Sequence, residues 1–238
     1  MDYIQGFLIP ARNDRKQSYR DMAASTAPVL ADYGATAIVE TWGADVMDGK
    51  RTDMKRAVAL EDDETVVFSW VRWPDRTTCD AAAEKIMADE RMKMPDEMPF
   101  DGKRMIYGGF EAVTETGKGG EIGYVDGFVA AVPDGKREAF VDHAKMMADL
   151  FVESGALRVV DGWGVDVPDG KVTDFRRAVD VQTDETVAFG WVEWPDKTTR
   201  DAGMAKVMEA PSMQGNPPPW NGPTAIFGGF MPVFDSDH

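Results

Sequence analysis

The sequence predicts an α+β protein built from two copies of a β-α-β-β-α-β unit, with the sheets of the two copies packed against each other. Three observations carry this. The chain repeats itself at an offset of about 121 residues, from Trp42 to Trp163. Each copy switches between strand-like and helical apolar periodicity in the same order. Turn residues fall between the periodic segments at matching places.

The repeat is extensive. Trp42-Gly43-x-Asp45-Val46 recurs as Trp163-Gly164-x-Asp166-Val167, and the run from Asp62 to Thr78 recurs from Thr183 to Thr199. Over residues 34–80, roughly 28 of 47 aligned pairs are identical. Ile106-Tyr107-Gly108-Gly109-Phe110 returns as Ile226-Phe227-Gly228-Gly229-Phe230. The expected division is a first repeat over 1–113, a Gly/Thr/Lys linker over 114–123 (TETGKGGEIG), and a second repeat over 124–238.

Within the first copy, residues 3–9 alternate and carry aromatic and branched side chains, which predicts a strand. Residues 14–33 show helical spacing at Tyr19, Met22, Ala23, Val29 and Leu30, and Gly34 is placed to end the helix. Residues 36–46 return to a strand, followed by an Asp48-Gly49-Lys50 turn. Residues 64–73 form the strongest strand pattern. Pro74-Asp75 then opens a helix over 76–90 with Asp75 as its N-cap. A Pro/Met-rich loop containing Met92, Met94 and Met98 leads to a last strand at 104–112. This order is the ferredoxin-like unit. Its two helices cover one sheet face, and the simplest cover for the other face is the second copy.

Composition excludes several function classes. Across 238 residues, 42 acidic side chains face 26 basic ones, for a net charge of −16. Such a chain repels nucleic acid and anionic membrane, whose binding depends on cationic side chains. No apolar run approaches the length of a membrane span, and the opening residues lack the pattern of a signal peptide. The single cysteine, Cys79, rules out an internal disulfide and a multi-cysteine metal site. The expectation is a cytoplasmic protein, monomeric through its internal pseudo-dimer or further dimerised, with no metal and no cofactor.

Strand alternation sorts the candidate site residues. The purely apolar faces, such as Ile4, Gly6 and Leu8, suit helix packing. The opposite faces combine aromatics with acids and are expected to line a cavity between the repeats: Gln5, Glu40, Trp42, Trp70 and Tyr107 from the first copy, and Asp126, Asp161, Trp163 and Trp191 from the second. A mostly apolar cavity with a few placed polar groups is the usual small-molecule site. Asp126 and Glu40 are the candidate catalytic bases, because a buried carboxylate has a raised pKa suited to proton transfer. The tryptophans, Gln5, Tyr107 and Asp161 are the candidate substrate-binding residues. Structural core is the commoner meaning of such tryptophans, and a fully hydrogen-bonded Asp126 would do no chemistry.

Other patterns are weaker. His143, on the second copy's first helix at the place of Met22, reads as a packing or surface histidine, and His238 is terminal. The Gly108-Gly109 and Gly228-Gly229 pairs lie in strands and read as close-packing positions, not a phosphate loop. Arg56 with Asp53, and Arg177 with Asp174, could clamp an anion but suit a structural ion pair better.

Five segments, DETVVFSWV (63–71), KIMADERM (85–92), MPFDGKRMIYGGFE (98–111), DGFVAAVPDGKREAF (126–140) and DVPDGKVTDFRRAV (166–179), closely resemble the YbaA-like family of bacterial proteins of unknown function. That resemblance implies the dimeric α+β barrel superfamily, with this chain a tandem fusion whose halves form the pseudo-dimer. Relatives in that superfamily include small monooxygenases, dismutase-like haem proteins and degradative isomerases, so the fold alone does not fix an activity. The implied reading is a protein that binds or transforms a small apolar or aromatic molecule, in the manner of a cofactor-independent monooxygenase or isomerase. The rival is a non-catalytic binding or stress-associated protein whose aromatics are only core. The second copy departs from the family pattern where Gln214 to Thr224 (QGNPPPWNGPT) replaces the loop MPFDGKR.

Overall fold

A computed structural model describes every residue except Met1, Lys93, Met94, Asp96, Gln214 and His238. Met94 of the methionine-rich loop, the first residue of the divergent loop and the terminal histidine therefore lie outside the described residues.

The first repeat contributes β1 (Tyr3–Arg12), α1 (Lys16–Asp32), β2 (Ala37–Asp45), a one-turn α2 (Met54–Ala57), β3 (Glu64–Trp73), α3 (Arg76–Ala88) and β4 (Ile106–Gly117). The second follows the same order with β5 (Tyr124–Pro133), α4 (Arg137–Glu153), β6 (Arg158–Asp166), α5 (Phe175–Ala178), β7 (Glu185–Trp194), α6 (Lys197–Glu209) and β8 (Ile226–Asp235). Local chemistry sets the boundaries. Asp75 and Asp196 cap α3 and α6 by accepting from the backbone N–H of Thr78 and Thr199. Gly34 and Gly155 leave α1 and α4 at φ +107° and +113°, a backbone region glycine enters without strain. Asp53 and Asp174 cap α2 and α5 and pair with Arg56 and Arg177, so these arginines are structural. β4 runs to Gly117 and pairs Thr114–Gly117 with Asp161–Arg158, so the first four expected linker residues are strand.

The eight strands close into one antiparallel barrel in the order β1-β3-β2-β8-β5-β7-β6-β4. The repeats join at two equivalent seams, β2 with β8 and β4 with β6, each broken by two register shifts. Closure removes every sheet edge. It also explains how two units, each with one uncovered sheet face, become stable together.

The barrel interior is filled with side chains. Phe68 stacks on Phe189 with ring centroids 4.7 Å apart, and Trp70 on Trp191 at 4.3 Å. Ile4, Leu8, Val66, Val125, Val129, Phe110 and Phe230 complete this layer, and Met54 of α2 and Phe175 of α5 join it. The central rings need room that glycine supplies. A Cβ on Gly6 would lie 2.8 Å from Phe189, and one on Gly127 would lie 2.6 Å from Phe68. The paired glycines serve a related need at the seams. A Cβ on Gly109 or Gly229 would collide with the hydroxyl of Tyr3 or Tyr124.

This arrangement reverses the sequence-based face assignment for β1, β2, β4, β5 and β6. Their purely apolar faces turn into the barrel, and the faces with mixed aromatics and acids turn outward toward the helices. The physical reason is water. The barrel interior is sealed on all sides by eight strands and accepts few polar atoms. The outer faces keep water near the helix edges, and there tyrosine and tryptophan find acceptors for their polar ends. For β3 and β7 the expectation holds, with Trp70 and Trp191 inside and fully buried.

The repeats have diverged even in the core. Trp191 donates its Nε1–H to Glu193 at 2.9 Å, and Glu193, fully buried, pairs with Arg158. The equivalent of Glu193 in the first repeat is Arg72, itself a donor, held by Glu115 and Asp2. Trp70 is thereby left with a buried Nε1 that has no partner among the described residues.

Candidate functional site

The main cavity lies outside the barrel, between the second repeat's sheet and its own helices. It has a volume of about 640 Å³. Phe128 of β5, Val159 and Asp161 of β6, and Val192 of β7 form its floor. His143, Ala144, Met147 and Phe151 of α4 and Met204 of α6 form the roof. Trp220, Asn216 and Pro218 of the divergent loop close one side. The lining is mostly apolar and aromatic with a few polar groups, and its volume falls within the range of small-molecule sites. The inter-repeat cavity expected from the sequence is corrected to this place, because stacked rings occupy the barrel interior.

Two polar groups stand inside it. Asp161 is 5% exposed, and its Oδ2 accepts from Thr114 Oγ1 at 2.7 Å across the β4–β6 seam. Burial pushes its pKa up to about 6, against the lowering pull of the Thr114 bond. His143 is 8% exposed and packs edge-on against Trp220, centroids 5.1 Å apart. Its Nδ1 is buried without a partner among the described residues. Burial lowers its pKa, which a hydrogen bond with Asn216 opposes. The site thus holds a carboxylate and a neutral imidazole whose Nδ1 has no partner among the described residues.

At the rim the charges are already paired. Asp126 accepts from Arg200 at 2.6 Å and from Trp194 Nε1 at 2.9 Å. Lys197 lies 3.5 Å from Asp45, which also accepts from the Tyr124 hydroxyl at 2.6 Å. Asp126 reaches the pocket wall, but a guanidinium and an indole occupy its oxygens. In this arrangement it anchors Arg200 and Trp194 at the rim. The first repeat shows why. There Gln5 takes the same place and accepts from Trp73 Nε1 at 2.9 Å, and Cys79 stands where Arg200 does. Asp126 and Arg200 form a charge pair where the first repeat has two neutral residues, Gln5 and Cys79.

Glu40 is the first-repeat counterpart of Asp161, and it lies beneath its own helix. The Tyr19 hydroxyl donates to its Oε2 at 2.6 Å. Desolvation pushes its pKa up to about 7, opposed by hydrogen bonds from Tyr19 and Ser69. Tyr19, Trp42 and Phe100 pack together over it. Trp163 sits under Phe140 on the outer face of the second repeat, and Tyr107 is half exposed and stacks on Phe7. Of the nine sequence-nominated residues, the structure brings Asp126 and Asp161 to the pocket. Gln5, Glu40, Trp42 and Tyr107 belong to the first repeat's outer face, Trp163 packs under α4, and Trp70 and Trp191 are barrel core. Arg104 ties its loop to Glu64 at 2.6 Å and to Asp101 at 2.8 Å.

The buried carboxylates make stability pH-dependent. A carboxyl whose pKa is higher in the fold keeps its proton after the unfolded chain has released it, so stability falls as pH rises between the two values. For Glu40 this window runs from about 4.5 to about 7. Glu40→Gln is expected to remove on the order of 2 kcal/mol of the loss between about pH 5 and pH 8. Urea unfolding of both proteins at the two pH values checks this, and parallel losses in the two would contradict it.

The closed barrel, the external helices and the internal two-fold repetition define a dimeric α+β barrel whose two units are joined in one chain. Residues 2–102 and 123–222 each match the family described as "Protein of unknown function (DUF1428)", and the chain belongs to that family. The uncharacterised protein YbaA of Escherichia coli K12 is 51% identical over 116 residues, which is 99% of that protein and 48% of this chain. It therefore corresponds to one repeat. Among solved structures, a monooxygenase-like protein of Fusobacterium nucleatum aligns over 98% of this chain and 93% of its own, with TM-score 0.61 and 11% identity. An anthrone oxidase-like protein aligns over 98% and 92%, with TM-score 0.57 and 14% identity. These likenesses concern the fold.

No helix among the described residues is long and apolar enough to cross a membrane. No group of three or more His, Cys, Asp or Glu side chains among them is placed to hold a metal ion.

Proposed function

We propose that this chain binds and transforms a small apolar or aromatic molecule in the second repeat's pocket, with Asp161 as the proton-transfer group. One observation carries the reading: a largely apolar pocket of about 640 Å³ is lined by a buried carboxylate, Asp161, and a buried histidine, His143. A mostly apolar cavity with a few placed polar groups is the usual form of a small-molecule site. A carboxyl with pKa about 6 is mostly ionised near neutral pH yet basic enough to accept a proton. The monooxygenase-like and oxidase-like names of proteins sharing the fold support an oxygenase as the reaction class, and an isomerase using the same acid–base group is the related reading. In this reading the protein works in the cytoplasm as its own pseudo-dimer. The net charge of −16 supports a small-molecule ligand over a nucleic acid or an anionic membrane.

Thermal-shift measurement against a panel of aromatic and aliphatic metabolites tests this. Aromatic ligands of two or three rings are expected to raise the melting temperature of the native protein. They are expected to lose that effect in a variant with Met147→Trp, which fills the pocket beneath α4. Stabilisation that survives Met147→Trp would place binding elsewhere and overturn the reading. Binding with no turnover of any bound compound would favour the non-catalytic alternative.

A further inference from the structure

We propose that the ligand of this pocket carries a hydroxyl, phenolic or enolic, on an apolar ring body and donates it to Asp161. The inference rests on the pocket being the binding site and adds the chemical class of what it takes.

The argument comes from comparing the two repeats at one point. In the first, the carboxylate of Glu40 receives a phenolic hydroxyl from Tyr19 on the covering helix, at 2.6 Å. In the second, the equivalent residues are Asp161 and Phe140. Phe140 keeps the ring, fully buried against Trp163, but has lost the hydroxyl. Asp161 is one methylene shorter than Glu40, which draws its carboxylate back toward the sheet. The second repeat therefore lacks both the donor and the reach that close the contact in the first, and its carboxylate, Asp161, lines the pocket instead. Thr114 donates to Oδ2 of Asp161 only. At the equivalent β2–β8 seam Glu40 faces Phe234, where Asp161 faces Thr114, so the two carboxylates are satisfied by different means. A carboxylate has capacity for several donors, and Tyr19 shows a phenol donating to the equivalent carboxylate of the first repeat.

The walls define the rest of the molecule. Phe128, Phe151, Val159, Val192 and Trp220 favour a flat apolar body. His143 adds a polar side chain to the same wall. A protonated amine would also satisfy Asp161. The Tyr19–Glu40 contact favours the neutral hydroxyl, and the experiment separates the two.

Equilibrium binding of three probes to the native protein tests the proposal: 2-naphthol, 2-methoxynaphthalene and 2-(aminomethyl)naphthalene. At about pH 7.5, 2-naphthol is expected to bind roughly ten-fold or more tightly than its methyl ether, the size of a hydrogen bond to a charged group. Phe140→Tyr combined with Asp161→Glu supplies both the hydroxyl and the reach from the protein, so the naphthol advantage should disappear in that double variant. Asp161→Asn should shrink it as well, and serves if the double variant does not fold. Equal affinity for naphthol and ether in the native protein would overturn the hydroxyl inference while leaving the pocket as the site. Tighter binding of the ammonium probe than of naphthol would overturn it in favour of an amine. Binding of none of the three would overturn both this inference and the reading of the pocket.

Discussion

Phe189→Ala is expected to destabilise the protein by about 3–5 kcal/mol. Phe189 is fully buried at the centre of the barrel. Its ring stacks on Phe68 and Phe110, at 4.7 and 5.0 Å, and meets Phe175 and Trp191 edge-on. It also covers Gly6, so truncation opens a void that the glycine cannot fill. Phe68 and Gly6 come from the first repeat and Phe189 from the second, so the lost contacts are those that hold the halves together. The loss is a large share of a typical stability of about 5–15 kcal/mol. Guanidinium unfolding followed by tryptophan fluorescence measures it. The same truncation at Phe227, which is 55% exposed, is expected to cost less than about 1 kcal/mol. Equal effects at the two sites would contradict the packed interior described above.

Asp161→Asn is expected to lower turnover of a substrate bound in the pocket by about 10²–10⁴-fold, the usual contribution of a positioned acid–base group. Asparagine keeps the shape and can still accept from Thr114, so the fold and most of the binding should survive. The native rate should rise with pH through about 6 as the carboxyl ionises, and the variant should lose that rise. Asp126→Asn serves as the comparison. Asp126 is engaged by Arg200 and Trp194, so its replacement should act on stability at the pocket rim and not on the pH profile. A pH profile that moves with Asp126 instead would exchange the roles of the two aspartates.

Much of the fold was legible in the sequence, because the duplication offered two readings of every element. β3 falls on its expected residues, and Asp75 caps α3 as its position after Pro74 indicates. The faces were less legible. An alternating strand shows two faces but not which is sealed. The assignment of apolar faces to helices and mixed faces to the interior came out reversed for five strands. In a closed barrel the interior is the drier layer and so the more purely apolar one.

The site was legible in one half of its chemistry. Asp161 was nominated from its place beside Trp163, although as a binding group in a different cavity. His143 was set aside as a packing residue because it stands alone in the sequence. Its signal lay in the comparison of repeats. On the covering helices the second copy has His143 where the first has Met22, Arg200 where it has Cys79 and Phe140 where it has Tyr19. Substitutions that add polarity or remove a capping hydroxyl on a buried face mark where a duplicated unit has opened. The loop bearing Trp220 was noticed as a departure. That it walls the pocket depends on the chain folding back between α6 and β8, and no local pattern shows that.

The most direct measurement is a crystal structure of the protein grown with 2-naphthol. The ligand is expected between the outer face of β5–β7 and α4, with its hydroxyl within hydrogen-bonding distance of Asp161 and its rings beside Trp220. A ligand lodged beneath α1 near Glu40, or within the barrel beside Trp70 and Trp191, would contradict the account.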